Sequence, residues 1–338
     1  MAPDPSGFTI SFPAPLDLAA SLSGLSRGGD DLMDRWDGAT MVRTTRIEGR
    51  PVAFCATPVP APATPAPASP TPAPAASTPA TPAPPGMTED LSDPVLLVAV
   101  EGSAPNTTSD GIAATVRSMF VQDEVTLQRL ISIDPVIADV AGAAPGLRPV
   151  LWSDPFSALV RSISAQQVNL AWAAVTRARL ASTFGQRHWI GQHWVYSLDP
   201  AALCSAQPDQ LRALQLSRAK ATALIGLAQA AEDGALDITQ LQNLGDDEVV
   251  ERLTRLRGVG RWSADWFLAR TLGRPRVVAG DLGVRKAVGA AYLGGRLPSE
   301  LEVRQVTEHW GPAAGMAQQL LLSTAAASAR SPFGASPA

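Results

Sequence analysis

The side chains best suited to chemistry lie in a single stretch, residues 253–286, with the sequence LTRLRGVGRWSADWFLARTLGRPRVVAGDLGVRK. Two amphipathic segments of this stretch are interrupted at Arg257-Gly258-Val259-Gly260, which predicts a helix, a tight hairpin and a second helix. Gly258 and Gly260 permit positive φ angles and leave backbone N–H groups bare at the start of the second helix, where the helix dipole favours an anion. The pattern therefore predicts a contact with a phosphate, such as one of a DNA backbone.

Asp281 is the candidate reactive group, and it stands at the start of a third predicted helix, within Gly280-Asp281-Leu282-Gly283-Val284. The positive end of a helix dipole keeps a carboxylate ionised, which suits a group that faces a developing positive charge. An isolated aspartate in this position is more often an N-cap alone. The hairpin upstream favours the chemical role over capping alone.

Charge is distributed unevenly over the 338 residues, whose formal net charge is -4. Residues 1–150 carry 8 basic and 16 acidic side chains, whereas residues 151–338 carry 19 and 15. Between Arg257 and Arg296 there are 8 basic residues and 2 acidic ones. A polyanion responds to this local patch rather than to the total, so the acidic balance does not exclude nucleic acid as a partner.

Several classes of site and location are disfavoured by what the chain lacks. Cys55 and Cys204 are its 2 cysteines, too few for an iron–sulfur cluster or a four-cysteine zinc site. The 3 histidines lack the companions of a zinc deaminase, and we predict no role for them. Neither a signal peptide nor an apolar run long enough to span a membrane stands out, so we expect a cytoplasmic, nucleoid-associated protein with no membrane contact.

An antiparallel sheet is predicted for the first third of the chain. Strand patterns and a hairpin turn occur at Phe8–Phe12, Met41–Ile47, Glu48-Gly49-Arg50, Pro51–Ala56 and Val95–Val100. Between the last two strands, residues 57–86 hold 12 prolines in 30 positions and cannot bury enough apolar surface to fold. We predict a disordered Pro/Ala/Thr insertion that replaces a hairpin turn, at a cost of about 2 kcal/mol in loop-closure entropy.

From residue 111 onward the pattern is helical, and no strand signal follows residue 102. Asp154-Pro155 opens one helix with a cap and an N1 proline, and this helix runs into Gln166 and Gln167. Adjacent glutamines are unusual between apolar helices: they are either a polar wedge or groove contact, or solvent-facing amides. We predict an α+β domain over residues 1–110, a helical domain over residues 111–330 and a tail over residues 331–338.

Three motifs, in this order, resemble those of the helix-hairpin-helix (HhH-GPD) DNA glycosylase superfamily: GLRPVLWSDPFSALVRSISAQQVN at 146–169, LRGVGRWSADWFL at 256–268 and GDLGVR at 280–285. Within it, the chain looks like the 3-methyladenine DNA glycosylase II (AlkA-like) family. The resemblance implies an α+β fold, with a small antiparallel TBP-like amino-terminal domain followed by an all-α helix-hairpin-helix domain of two lobes. It also implies base excision repair: a monofunctional DNA N-glycosylase flips alkylated purines, of the 3-methyladenine or 7-methylguanine type, into a cleft and excises them hydrolytically.

The resemblance assigns Asp281 to catalysis, because an ionised carboxylate stabilises the positive charge that develops on the deoxyribose or orients the attacking water. Trp262 and Trp266 become candidate substrate-binding residues, since aromatic faces attract cationic alkylated bases. Their spacing is equally that of two core indoles. Gln166 and Gln167 become candidate substrate contacts, with Gln167 at the tip that wedges into the gap left by the flipped base.

Double-stranded DNA that contains alkylated bases is the partner that the resemblance implies, bound by a monomer. The predicted DNA contacts are Arg257, Gly258, Val259, Gly260, Arg261, Arg285 and Lys286. The family further implies a structural monovalent cation, held at the hairpin by the backbone carbonyls of Leu256 and Val259. We expect no organic cofactor and no iron–sulfur cluster.

Two other functions remain open. A non-catalytic helix-hairpin-helix protein that binds damaged or bent DNA is suggested by departures from the family pattern: Trp310-Gly311-Pro312-Ala313-Ala314 lacks the arginine of the family's Trp-x-Pro-x-Arg. A bifunctional glycosylase and lyase is disfavoured, because the position of its Schiff-base lysine, two residues after the last hairpin glycine, is Trp262 here. Lys286 is a phosphate contact in this interpretation.

Overall fold

The amino-terminal part of the chain is a five-stranded antiparallel sheet. The computed structural model describes residues 7–26, 28–59, 93–102 and 106–328. The strands are β1 (Gly7–Ser11), β2 (Asp34–Trp36), β3 (Met41–Ile47), β4 (Arg50–Val59) and β5 (Val95–Val100). They lie side by side in the order β1-β5-β4-β3-β2. The strands predicted in this part of the chain are confirmed.

The Pro-rich insertion predicted over residues 57–86 lies outside the described residues from position 60 onward. Thr57, Pro58 and Val59 instead continue β4, so the insertion begins later than we predicted. Val59 and Val95 are partners in the register of β4 and β5. The connection therefore joins two strands that are neighbours in the sheet.

Both faces of this sheet are covered, because successive side chains of a strand point to opposite faces. On one face, Met41 and Phe54 pack against helices α1 (Leu18–Ser23) and α2 (Asn106–Ser118). On the other face, Val42 and Cys55 pack against residues of a second hairpin. The sheet is thus the middle layer of three.

That second hairpin consists of β6 (Gly185–Ile190) and β7 (His193–Leu198), within the helical half of the chain. The prediction that no strand follows residue 102 is therefore wrong, and the second half is not all-helical. His188 is one reason. It is buried and bonds at 2.8 Å to both Glu101 and Ser197, so a polar residue occupies a core-facing position and hides the alternation that predicts strands.

The remaining helices form two lobes with separate apolar cores. The first lobe contains α5 (Pro155–Ala165), α6 (Leu170–Phe184), α7 (Pro200–Cys204), α8 (Pro208–Ala213), α9 (Arg218–Glu232), α10 (Ile238–Asn243), α11 (Asp246–Thr254) and α12 (Arg261–Arg270). The second contains α3 (Glu124–Ile133), α4 (Pro135–Ala143), α13 (Leu282–Tyr292), α14 (Glu300–Val306) and α15 (Ala314–Ser328). Across the described ranges, every helix is too short or too polar to cross a membrane.

A buried ion cluster joins the sheet to the first lobe. Its members are Asp31, Asp34, Arg43, Arg161 and Arg177, and each carboxylate pairs with two guanidinium groups. Burial alone would raise the pKa of Asp31, but Arg161 and Arg177 outweigh burial and lower that pKa to about 2. Because Arg161 and Arg177 come from α5 and α6, whereas the aspartates and Arg43 come from the β2–β3 region, the cluster fixes how the two parts of the molecule sit together.

Candidate active site

The predicted helix-hairpin-helix is formed by α11, residues 255–260 and α12. Gly258 has a φ of +83°, and a Cβ atom there would lie 2.6 Å from the Cβ of Ala223, so both the backbone angle and the space require glycine. Gly260 differs from our prediction: its φ is -100°, so it needs no positive φ. It is instead the N-cap of α12, and no side chain caps that helix. The backbone N–H groups of its first turn therefore remain available to an anion.

Gln166 ties the tip between α5 and α6 to this hairpin. Its Nε2 donates to the Gly258 carbonyl at 2.8 Å and to Ser263 Oγ at 3.3 Å. Ser162 Oγ in turn donates to Ser263 Oγ at 2.7 Å. Gln166 therefore positions the hairpin, and its predicted substrate contact stays a prediction. Gln167 is exposed, with a φ of +57° that is uncommon for a residue with a side chain.

Asp281 lies between α12 of the first lobe and α13 of the second, and three N–H groups hold its carboxylate. As the N-cap of α13, its Oδ1 accepts from the Val284 backbone N–H at 3.0 Å. Its Oδ2 accepts from Trp262 Nε1 at 3.1 Å and from Trp266 Nε1 at 3.3 Å. The structure confirms that Asp281 caps α13. The chemical role, which we predicted beside capping, stays a prediction.

The two oxygens of Asp281 differ in what they can still accept. A carboxylate oxygen has two lone pairs. Both lone pairs of Oδ2 are used by the indole N–H groups, whereas Oδ1 has accepted only from Val284. Because Asp281 is half-buried rather than buried, Oδ1 is the atom that can approach a water or a sugar. The carboxylate can stabilise a positive charge or orient a nucleophile there without first reorganising.

Trp262 and Trp266 occupy one side of α12, as residues four apart do. Both are half-buried, and Trp266 also packs against the core of the second lobe. The sequence offered base stacking and core packing as their roles. The structure adds a third that we did not predict, hydrogen bonding to Asp281. Their contact with a base stays a prediction.

The basic side chains predicted to contact DNA differ in their exposure and in the hydrogen bonds that they already make within the protein. Arg257 and Lys286 are exposed. Arg261 is 52% exposed, and its Nε donates to Asp265 at 3.1 Å. Arg285 is half-buried and its Nε donates to the Pro298 carbonyl at 2.7 Å, so part of its guanidinium is committed to the protein. None of these DNA contacts is tested by the geometry alone.

A network around the buried carboxylate of Asp265 was missed by the sequence analysis. Besides Arg261, it pairs with Arg276 at 2.8 Å and with Arg304 at 3.7 Å. These arginines come from α12, the segment after it and α14. The network therefore fixes the first turn of α12 relative to the second lobe. Its signal in the sequence is a lone acidic residue on a helix that lies within a basic stretch.

The predicted cation site at the hairpin rests on backbone carbonyls. The Leu256 carbonyl accepts from the Val259 N–H at 3.1 Å and keeps a second lone pair, so it fits a weakly bound monovalent cation. Within the described residues, no group of three or more His, Cys, Asp or Glu side chains could hold a metal ion. The carbonyl site stays a prediction.

Comparison with known proteins gives consistent similarities. A family model described as "HhH-GPD superfamily base excision DNA repair protein" matches residues 160–313, which include Gln166, the hairpin and Asp281. The chain is 31% identical over 180 residues to DNA-3-methyladenine glycosylase 2 of Escherichia coli. That alignment covers 53% of this chain and 61% of the relative, so the chain spans about six tenths of the curated protein's length.

Two solved structures share the fold. The 3-methyladenine DNA-glycosylase from Archaeoglobus fulgidus superposes with a TM-score of 0.73 and 22% identity, covering 94% of this chain and 96% of that one. The 8-oxoguanine glycosylase/lyase of Clostridium acetobutylicum, in complex with double-stranded DNA, gives a TM-score of 0.64 and 15% identity, with coverage of 92% and 91%. The fold is thus shared by a protein named as a glycosylase and by one named as a glycosylase/lyase, so the fold alone does not distinguish the two chemistries.

Proposed function

We propose that the chain is a DNA glycosylase, which the match of residues 160–313 to the family model of HhH-GPD base excision DNA repair proteins supports. The main support for this proposal is that two indole N–H groups and one backbone N–H hold the carboxylate of Asp281 in place. The uncapped start of α12 lies beside it, ready to bind a phosphate. In this proposal, the carboxylate that acts at the sugar and the helix start that binds the DNA backbone lie next to each other.

In the proposed reaction, the N-glycosidic bond of a flipped nucleotide breaks and the base leaves with the bonding electrons. Positive charge then develops on the deoxyribose. The Asp281 carboxylate stabilises this charge, and Oδ1, the oxygen with a lone pair to spare, orients the water that adds to the sugar and accepts the proton that this water loses. The products are free base and an abasic site in an intact strand.

Alkylated purines of the 3-methyladenine and 7-methylguanine type are the proposed substrates. Such bases carry positive charge before the bond breaks, so they leave without a dedicated general acid. The curated relative from Escherichia coli is named for 3-methyladenine, which supports this choice.

We propose hydrolysis without strand cleavage, because the chain has no amine at the hairpin. Trp262 occupies the position two residues after Gly260, and its indole nitrogen donates to Asp281. Lys220 and Lys286 are the 2 lysines of the chain. The Nζ of Lys220 donates to the Ser164 carbonyl at 2.9 Å, at the end of α5.

Release of free base from methylated duplex DNA tests the proposal. We expect wild-type protein to release 3-methyladenine and to leave the strand unnicked, and Asp281→Asn to lose at least about a hundredfold in single-turnover rate, as expected for a preorganised charge. Asp237→Asn is the matched control, because Asp237 is an exposed N-cap of α10 that accepts from Gln240 at 2.7 Å. This control should keep full activity.

Other outcomes point to the alternatives. Equally slow release by wild type and Asp281→Asn, with retained binding to abasic-site DNA, would favour a non-catalytic binder of damaged DNA. A DNA adduct trapped by borohydride would favour the bifunctional glycosylase and lyase.

A further inference from the structure

An exposed apolar stripe lies at the start of α6, directly after the tip that Gln167 forms. Trp172 and Val175 are 40% and 42% exposed, and their spacing of three residues places them on one helix face. Val168, 36% exposed, precedes the helix at the tip. Large apolar side chains at adjacent exposed positions are costly in water. The stripe is therefore a candidate contact surface.

Trp172 is the third residue of α6 and therefore lies in its first turn, next to the tip. The Trp172 backbone N–H donates to the N-cap Asn169 at 2.8 Å. Gln166, three residues before Asn169, bonds to the Gly258 carbonyl. The tip and the phosphate-binding hairpin are thus parts of one surface.

The guanidinium group of Arg179 lies over the exposed indole of Trp172. The Arg179 guanidinium carbon lies 5.7 Å from the centre of the Trp172 ring, and Arg179 Nη1 donates to Gln215 Oε1 at 2.6 Å. Gln215 adopts a φ of +70°, a strained angle that the surrounding fold must enforce. Helix α6 contains Arg177 and Arg179 and no acidic residue, and Arg177 is used in the buried ion cluster. The charge beside Trp172 is therefore positive, which complements a nucleic acid and not a basic protein partner.

We propose that Trp172 stacks on the DNA base that loses its partner when the damaged nucleotide is flipped out. This inference rests on the proposed glycosylase function. Flipping leaves an unpaired base in the opposite strand with one face uncovered, next to the gap that Gln167 is predicted to enter. A partly exposed indole offers a stacking surface to any base. The positive charge of Arg179 attracts the phosphates of the DNA strand to which this base belongs. Trp172 lies on α6, whereas Asp281 is held by α12 and α13, so this contact is separate from the lesion's own site.

The test uses two short duplexes that share sequence and ends and contain a tetrahydrofuran abasic analogue at the same position. In one duplex thymine stands opposite the analogue, and in the other a second tetrahydrofuran does. Dissociation constants are measured at one fixed salt concentration, since affinity for DNA depends on salt. We expect wild type to bind the thymine duplex about tenfold more tightly, which is the size of one base–aromatic stack.

Three variants sharpen the comparison. Trp172→Ala should lose the preference for thymine and bind both duplexes alike, whereas Trp172→Tyr, which keeps a ring, should restore most of it. Trp189→Ala is the matched control, because Trp189 is also an exposed indole, 53% exposed, with Arg187 at 5.4 Å, but it lies on β6. This control should keep the wild-type preference.

Two results would overturn the inference. Wild type could bind both duplexes equally, or Trp172→Ala could weaken both by the same factor, as a contact with the backbone would. A wild-type protein that does not prefer either abasic duplex to an undamaged one would instead overturn the proposed function itself, so the two failures are distinguishable.

Discussion

Asp281 is the proposed catalytic residue, and its two indole donors can be removed one at a time. Trp262→Phe and Trp266→Phe each delete one N–H donor to Oδ2 and keep an aromatic ring. A hydrogen bond to a charged group contributes about 1.5–3 kcal/mol. We therefore expect each variant to lose about tenfold or more in the single-turnover rate of base release, with little change in affinity for abasic-site DNA.

Trp310→Phe is the matched control for this prediction. The Trp310 indole N–H also donates to an aspartate, Asp134, but at a buried position in the core of the second lobe. This change should lower thermal stability and leave the rate of the folded protein unchanged. If Trp262→Phe keeps its rate and changes the selectivity among alkylated bases instead, the tryptophans act by stacking on the base.

At the scale of single elements, the hairpin requires glycine at position 258 but not at position 260. We expect Gly258→Ala to lower the free energy of unfolding by about 3 kcal/mol, through its positive φ and the close approach to Ala223, and to abolish DNA binding. Gly260→Ala should cost less than about 1 kcal/mol, because its φ is ordinary and a Cβ would meet no atom within 4 Å. Urea unfolding and a DNA-binding titration measure both. Equal losses in the two variants would contradict this account of the hairpin.

The hairpin was predictable from the sequence because its signals are local: two glycines within three positions, between two amphipathic segments. The same holds for Asp154 and Asp281 as helix N-caps, which the structure confirms. The hydrogen bonds from Trp262 and Trp266 to Asp281 were not predictable. They depend on how α12 packs against α13, which is a tertiary arrangement that no local spacing encodes.

The β6–β7 hairpin shows a second way in which sequence patterns fail. Its core-facing side includes His188 and Ser197, which are satisfied by each other and by Glu101. Buried polar groups are tolerated when each has a partner. From the sequence, however, the partner, which directly follows β5, is unknown, and the pattern of β6 is typical of a polar loop. Glu101 lies 87 residues away along the chain.

At the scale of the whole molecule, the buried ion cluster makes the stability of the packing between the sheet and the first lobe depend on pH. The pKa of Asp31 lies below its ordinary value in the folded state, so the stabilisation is present above about pH 4 and is lost as the pH falls toward about 2. We expect Asp31→Asn to destabilise the protein by about 3 kcal/mol at neutral pH, because Arg161 and Arg177 lose a buried counter-charge.

The gap in unfolding free energy between wild type and Asp31→Asn should narrow by about 2 kcal/mol between about pH 4 and about pH 2. Urea unfolding at several pH values measures it. The control is Asp209→Asn, since Asp209 is 78% exposed where it pairs with Arg212 and should contribute less than about 1 kcal/mol. A gap that does not change with pH would show that Asp31 acts by packing and not by charge.

The chain leaves the sheet at Val59 and re-enters it at Val95, and these two residues are partners in adjacent strands. Exit and entry are therefore about 5 Å apart, the spacing of neighbouring strands. Any folded module whose own ends are close together can be carried at this point without altering the register of β4 and β5. For protein engineering, the β4–β5 connection is thus an insertion site: a reporter or a second effector domain placed there would be carried to whatever the rest of the protein binds.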